Sequence, residues 1–242
     1  MKVAVVADIH GNYAALQAVL ADIDKERVDE IISLGDNIGY GPEPEEVVRT
    51  LQKRDVVSIL GNHEYAILNE RCFKRLNPNP KKSLELSRAM MTPASLEYSK
   101  RLPKILIRHG ARLVHGCPPK SPTSYLINPD GAKLAKLFAS FSEKLCFFGH
   151  THTIELYDDQ GQASDMTVGI GPFDLSPENR YLINPGSVGQ PRDDIDNHAK
   201  YIIWDMGKAR IEVKSIPYDV MDTVNKLKKL GFPDFNAERL LL

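Results

Sequence analysis

Three short apolar runs, KVAVVAD at 2–8, DEIISLGD at 29–36 and VVSILGN at 56–62, set the tightest limit on the fold. Each has strand length, and each stops at an aspartate or asparagine, the last two straight after a glycine. Between the first two, Leu16, Val19, Leu20 and Ile23 recur at i, i+3, i+4 and i+7, the spacing of one helix face. Pro44 followed by Glu45 and Glu46 opens a second helix, where a missing N–H and negative charge are both favourable. The alternation β-α-β-α-β predicts parallel strands buried on both faces, with ligands bound beyond their carboxyl ends. The residues that follow each strand are therefore where chemistry is expected.

Residues 64–102 read as helical, interrupted by NPNP at 77–80, whose Asn-Pro pairs favour turns. This insert is expected either to cover the site or to serve as a packing extension or the contact of a homo-oligomer. KILIRHGARLVHG at 104–116 reads as a hairpin around His109-Gly110, and AKLAKLFASF at 132–141 as a helix leading into the strand KLCFFGH at 144–150. From 154 to 216 the pattern is mainly short strands, expected to pair antiparallel in a second sheet packed on the first. A helix near 219–230 closes the chain. No linker divides the 242 residues, so a single domain over 1–242 is expected.

With 42% hydrophobic and 26% charged residues the chain can bury a core. A net charge of −1 gives no bulk attraction to a polyanion, so nucleic acid is not an expected partner. No apolar run has the length of a signal peptide core or a membrane span, which points to a cytoplasmic protein without a membrane partner. Cys72, Cys117 and Cys146 form no CxxC pair and read as reduced thiols.

The strand ends share a chemistry. The first carries Asp8 and His10 (ADIHGN), the second Asp36 (GDN), the third Asn62 and His63 (GNHE), and later ones His115 (VHG) and His150 with His152 (GHTH). Any one fragment has a plainer reading, since Asp8 and Asp36 can cap helices and a histidine beside glycine is commonly a turn residue. His109 and His198 belong to that plainer class. A cap explains one aspartate but not the whole set. Side chains two apart in extended backbone leave on the same side, so Asp8 with His10, and His150 with His152, can address one cavity. Carboxylate oxygen with imidazole nitrogen suits manganese, iron or zinc, and the ligand count is enough for two ions.

Taken in order, DxH, GDN, GNHE, VHG and GHTH resemble the motifs of the calcineurin-like metallophosphoesterases, with a further match in NPGSVGQPR at 184–192. The resemblance implies an α/β fold, a four-layer α/β/β/α sandwich of two mixed sheets flanked by helices. It implies that Asp8, His10 and His152 hold one divalent ion and Asn62, His115 and His150 the other. Asp36 then bridges the two, and His63 is the catalytic histidine. Ser187 and Arg192 lie in the last segment, with Arg192 expected to approach the substrate. Manganese is favoured over iron or zinc.

Two divalent ions against two aspartates and a bridging hydroxide leave a core of about +1, attractive to phosphate. The expected reaction is metal-dependent hydrolysis of a small phosphodiester, nucleotide or dinucleoside polyphosphate. The segment GDNIGYG departs from the GDxVDRG of the protein Ser/Thr phosphatases, placing Gly39 and Tyr40 where an aspartate and an arginine stand there. A phosphoprotein phosphatase and a non-enzymatic scaffold of the same fold are the alternatives.

Overall fold

The computed structural model of the chain describes residues 1–160, 163–164, 170–193 and 195–241. Strands β1 (Lys2–Val6), β2 (Glu30–Ser33) and β3 (Val57–Ser58) run parallel, joined by helices α1 (Tyr13–Glu26) and α2 (Pro44–Lys53). Asn12 caps α1 by accepting the Ala15 N–H at 3.2 Å, and Pro44 opens α2 as anticipated. The third run pairs over only two residues. Beyond them Ile59 N still donates to Ser33 O at 3.0 Å, but Leu60 N turns away to Pro103 O at 2.8 Å.

The insert forms four helices, α3 (Asn62–Leu68), α4 (Glu70–Lys74), α5 (Pro78–Met90) and α6 (Pro93–Arg101). NPNP does more than interrupt it: Asn77 precedes α5 and Pro78 is its first residue, where a missing N–H costs nothing. Next come the hairpin β4 (Ile105–Arg108) and β5 (Ala111–Val114), α7 (Gly131–Ala139), β6 (Leu145–Phe147), β7 (Ile154–Asp158) and β8 (Ala163–Ser164). The chain continues through β9 (Pro172–Asp174), β10 (Tyr181–Pro185), β11 (Ala199–Asp205), β12 (Arg210–Ile216), α8 (Val220–Lys229) and α9 (Asp234–Arg239).

The two sheets have the strand orders β3-β2-β1-β11-β12-β9 and β4-β5-β6-β10-β7-β8. The expectation that 154–216 would mainly build the second sheet is therefore corrected: β7, β8 and β10 join it, whereas β9, β11 and β12 complete the first. Residues 161, 162, 165–169 and 194 of that stretch lie outside the described residues. The reason is that β1 has a second edge to satisfy, and β11 pairs antiparallel along it, with Val3 opposite Trp204 and Val5 opposite Ile202. Six consecutive residues of β11 are buried, as a strand covered on both faces requires.

Alternation along β1 sorts the layers. Val3, Val5 and Ala7 point between the sheets, meeting Leu113, Phe147, Leu156 and Ile183 of the second sheet. Ala4 and Val6 point outward onto Leu16, Val19 and Ile23 of α1 and onto Val47 and Leu51 of α2. On the far side Cys146 and Leu182 face Leu134 and Phe138 of α7. The result is the four-layer α/β/β/α sandwich with two mixed sheets. Among the described residues no helix is long and apolar enough to cross a membrane.

The insert packs against α2 through Ile38, Val48, Ala66, Leu84 and Met91. It also meets the C-terminal helices through Leu86 and Met90. Ser87 Oγ donates to Gly39 O at 2.8 Å, and Asn236 Nδ2 of α9 donates to Tyr40 O at 2.8 Å. Insert and C-terminus together buttress the loop after β2.

Candidate metal centre

The loops beyond the strand ends are bonded to one another by their backbones. Asp8 N donates to Gly35 O at 3.1 Å, His10 N to Asp36 O at 2.8 Å, Gly149 N to His115 O at 2.7 Å and Arg192 N to His152 O at 3.0 Å. Within this lattice Asp8, His10, Asp36, His150 and His152 hold φ between 52° and 72°. Left-handed backbone costs a residue with a β-carbon on the order of 1–2 kcal/mol. Such conformations persist only where the surroundings over-determine them, and they gather at functional sites.

Their side chains converge. Asp8, His10 and His152 offer three ligand atoms within 4.8 Å of one another; so do Asp36, His115 and His150, and so do His10, Asp36 and His63. Asp36 Oδ2 stands between the first two groups, 3.7 Å from His10 Nε2 and 3.3 Å from His115 Nε2. Asn62 Oδ1 lies 2.9 Å from His115 Nε2. All seven expected ligands thus reach one buried cluster. His109 and His198 do not: they pair with Glu30 and Asp196 at 2.7 and 3.6 Å, away from it.

The donor set fits divalent cations on its own chemistry. The Nδ1 atoms of His10, His115 and His152 face the backbone carbonyls of Ile38, Leu34 and Gln190 at 3.1, 2.9 and 2.7 Å. Burial holds His150 down to about 3, with the Thr123 backbone acting against that shift. A carbonyl only accepts, so Nδ1 carries the proton and a neutral ring turns the lone pair of Nε2 inward. His10 Nε2 and His152 Nε2 are 3.0 Å apart, and burial holds both rings well below the usual imidazole range. Two lone pairs at that distance repel unless a cation lies between or beside them. Asp8 Oδ1 and His150 Nε2 are buried with no hydrogen-bond partner among the described residues.

The electrostatics point the same way. Burial pushes the Asp8 carboxyl up to about 7, with His115 opposing and Asp36 adding to the shift. Burial disfavours charge on His115 too, yet Asp36 and Asp8 beside it push it up to about 9, so its surroundings favour a positive charge at Nε2. On Asp36 burial is outweighed by His115, His63 and His10, which hold it well below the usual carboxylate range.

His63 sits on the rim of this cluster. Its N–H donates to Asp36 Oδ1 at 2.8 Å, while its Nδ1 has no partner among the described residues. A β-carbon on residue 39 would fall 2.1 Å from that Nδ1, and Gly39 itself has φ +133°. The glycine therefore makes the room His63 occupies. Gly39 supplies no side chain to orient the ring, where the phosphatase motif has an aspartate. The ring is held instead by edge contacts, 4.6 Å from His10 and 4.7 Å from Tyr40 between centroids. Arg192 lies 5.9 Å over Tyr40, anchored through Gln190 Oε1 at 2.8 Å, and its buried Nε has no partner among the described residues. Ser187 faces inward, donating to Asp8 O and accepting from Gln190 N, both at 2.8 Å.

Glu64 escapes a reading by ligand type. It is 1% exposed and accepts three backbone N–H groups, from Asp36 at 3.0 Å, Asn37 at 2.7 Å and Gly61 at 3.0 Å. One carboxylate thereby ties the loop carrying Asp36 to the loop carrying Asn62 and His63. The only signal in the sequence is its place directly after His63.

Residues 1–208 match the calcineurin-like phosphoesterase superfamily domain, and the chain belongs to that superfamily. It is 33% identical over 245 residues to an uncharacterised protein of Methanocaldococcus jannaschii, covering 99% of this chain and 97% of the relative. A crystal structure of a metallophosphoesterase from Sphaerobacter thermophilus superposes with a TM-score of 0.86 at 32% identity, covering 100% of this chain and 98% of the other. A local match of 46% identity over 61 residues, 25% of this chain and 28% of the relative, links it to serine/threonine-protein phosphatase 2 of Escherichia coli.

Proposed function

We propose that the chain is a phosphoesterase working with two divalent ions, manganese before iron or zinc, on a small phosphodiester, nucleotide or dinucleoside polyphosphate. Asp8, His10 and His152 would hold one ion, Asn62, His115 and His150 the other, and Asp36 both. When bound, such a pair supplies Lewis acidity and activates water for attack on phosphorus. The observation that carries this reading is the facing pair His10 Nε2 and His152 Nε2, with both Nδ1 atoms committed to carbonyls.

The chain's own groups supply the rest. The fixed tautomers of His10, His115 and His152 keep three imidazoles aimed inward without rearrangement, as catalysis by a preorganised site requires. His63 would donate a proton or a hydrogen bond to the leaving oxygen, an effect of typically ~10²–10⁴-fold. Arg192, whose buried Nε has no partner among the described residues, would turn it to a phosphate oxygen, in the region where the phosphatase motif has its arginine.

The test is turnover of a chromogenic phosphodiester and the matching monoester by metal-stripped protein reloaded with Mn²⁺, with Asp36→Asn as control. Metal-dependent hydrolysis that falls to background in the control is expected. Absence of bound metal in the reloaded protein would remove the enzyme reading and favour a scaffold. A second reading, a phosphoprotein phosphatase, draws on the local similarity to the Escherichia coli phosphatase. Gly39 and Tyr40 in place of aspartate and arginine weigh against it, and turnover of a phosphopeptide relative to the diester decides between them.

A further inference from the structure

The mouth of the centre carries an aromatic face that the groups above do not use. The Tyr125 ring stacks on His150, with centroids 3.7 Å apart and planes 18° from parallel, yet the residue remains 52% exposed. Its neighbours in the chain are fixed. Ser124 O accepts Cys117 N at 2.7 Å, Ser124 N donates to Ser121 Oγ at 3.0 Å, and Leu126 is buried with Val114, Leu134 and Phe138. Thr123, two residues earlier, gives its backbone to His150. The ring is thus clamped on one face by an imidazole of the cluster and turns the other to solvent. Arg192 is close enough for its charge to act on the phenols of both Tyr125 and Tyr40.

We propose that the outer face of Tyr125 is a stacking platform for an aromatic ring carried on the phosphate ester, the base of a nucleoside phosphate. The inference rests on the phosphoesterase reading and narrows its substrate class. A phosphate drawn to the cluster and Arg192 has its ester arm at the mouth, where Tyr125 offers a flat, pre-positioned π-face. A planar base completes a layered stack of imidazole, phenol and base, whereas a sugar or alkyl arm leaves the ring in water. Base stacking on an aromatic side chain is worth on the order of tenfold in affinity.

Calorimetric binding of adenosine 5′-monophosphate, ribose 5-phosphate and inorganic phosphate to the Mn²⁺-loaded protein tests this. The nucleotide is expected to bind about tenfold tighter than ribose 5-phosphate. Tyr125→Ala should bring the two within about twofold, Tyr125→Phe should keep the preference, and both variants should retain the metal content of the parent. Equal binding of nucleotide and sugar phosphate by the parent, or an undiminished preference in Tyr125→Ala, overturns the platform while phosphate binding leaves the phosphoesterase reading standing. Loss of metal from Tyr125→Ala overturns it as well, assigning the ring to holding His150. If the loaded protein binds none of the three, both readings fall together.

Discussion

The two ends of β2 set the same residue types in opposite circumstances. At its start, Glu30 meets Arg108 and His109 from the β4–β5 hairpin, and His109 holds φ 51°, close to the values in the candidate metal centre. Beyond its other end, Asp36 meets His10, His63 and His115. The hairpin cluster is half open to water and mutually satisfied: Arg108 and His109 both donate to Glu30, and the Arg108 hydrogen bond leads in drawing its carboxyl below the usual range. The cluster around Asp36 is buried, and it includes facing nitrogen lone pairs and polar atoms without partners among the described residues. Left-handed histidine backbone is therefore no mark of function by itself. What separates the clusters is the unmet demand for positive charge in a place water does not reach, since such groups are costly unless something pairs with them.

That contrast can be pressed from its strongest point to its weakest. His63→Ala should lower kcat by ~10²–10⁴-fold while metal content stays at the parent level, because seven other residues supply the proposed ligands. Steady-state kinetics paired with elemental analysis checks both halves, and unchanged kcat would remove His63 from the chemistry. Glu64→Gln leaves one of three buried N–H groups facing a donor, so it should cost about 1–3 kcal/mol of stability. Because those N–H groups set the loop of Asp36, Mn²⁺ affinity should fall roughly 10–100-fold. A titration calorimeter would show whether metal binding stays intact, which would make Glu64 merely structural.

Glu155 tests the polar ring behind the GHTH loop, where it accepts from Thr153 Oγ1 at 2.9 Å. Burial pushes its carboxyl up to about 7 from an ordinary 4.5. The folded state then binds the extra proton, so this contribution to stability is complete below about pH 4.5 and is lost as pH rises through about 7. Glu155→Gln should flatten the decline between those limits, by at most about 1.4 kcal/mol per pH unit, in urea midpoints taken across the range. His109→Ala, at the satisfied end of β2, should change stability by less than about 1 kcal/mol and leave turnover alone. A large loss of activity there would erase the distinction between the two ends.

The sequence by itself determined the elements and the inventory of the site. Apolar runs of strand length, a helical period over Leu16 to Ile23 and the glycine-flanked Asp and His residues are local patterns, and local patterns survive in a linear reading. It could not assign β9, β11 and β12 to the first sheet, because a strand fits any open edge: β11 took that of β1, nearly two hundred residues earlier, β12 that of β11 and β9 that of β12. It also missed Glu64, Tyr125 and the carbonyls that fix each imidazole, since their work lies in partners rather than residue type. The tertiary structure decided these points because hydrogen-bond partnership and burial arise between segments far apart in the chain. His10 and His152 meet across 142 residues, and Ser187 reaches Asp8 across 179.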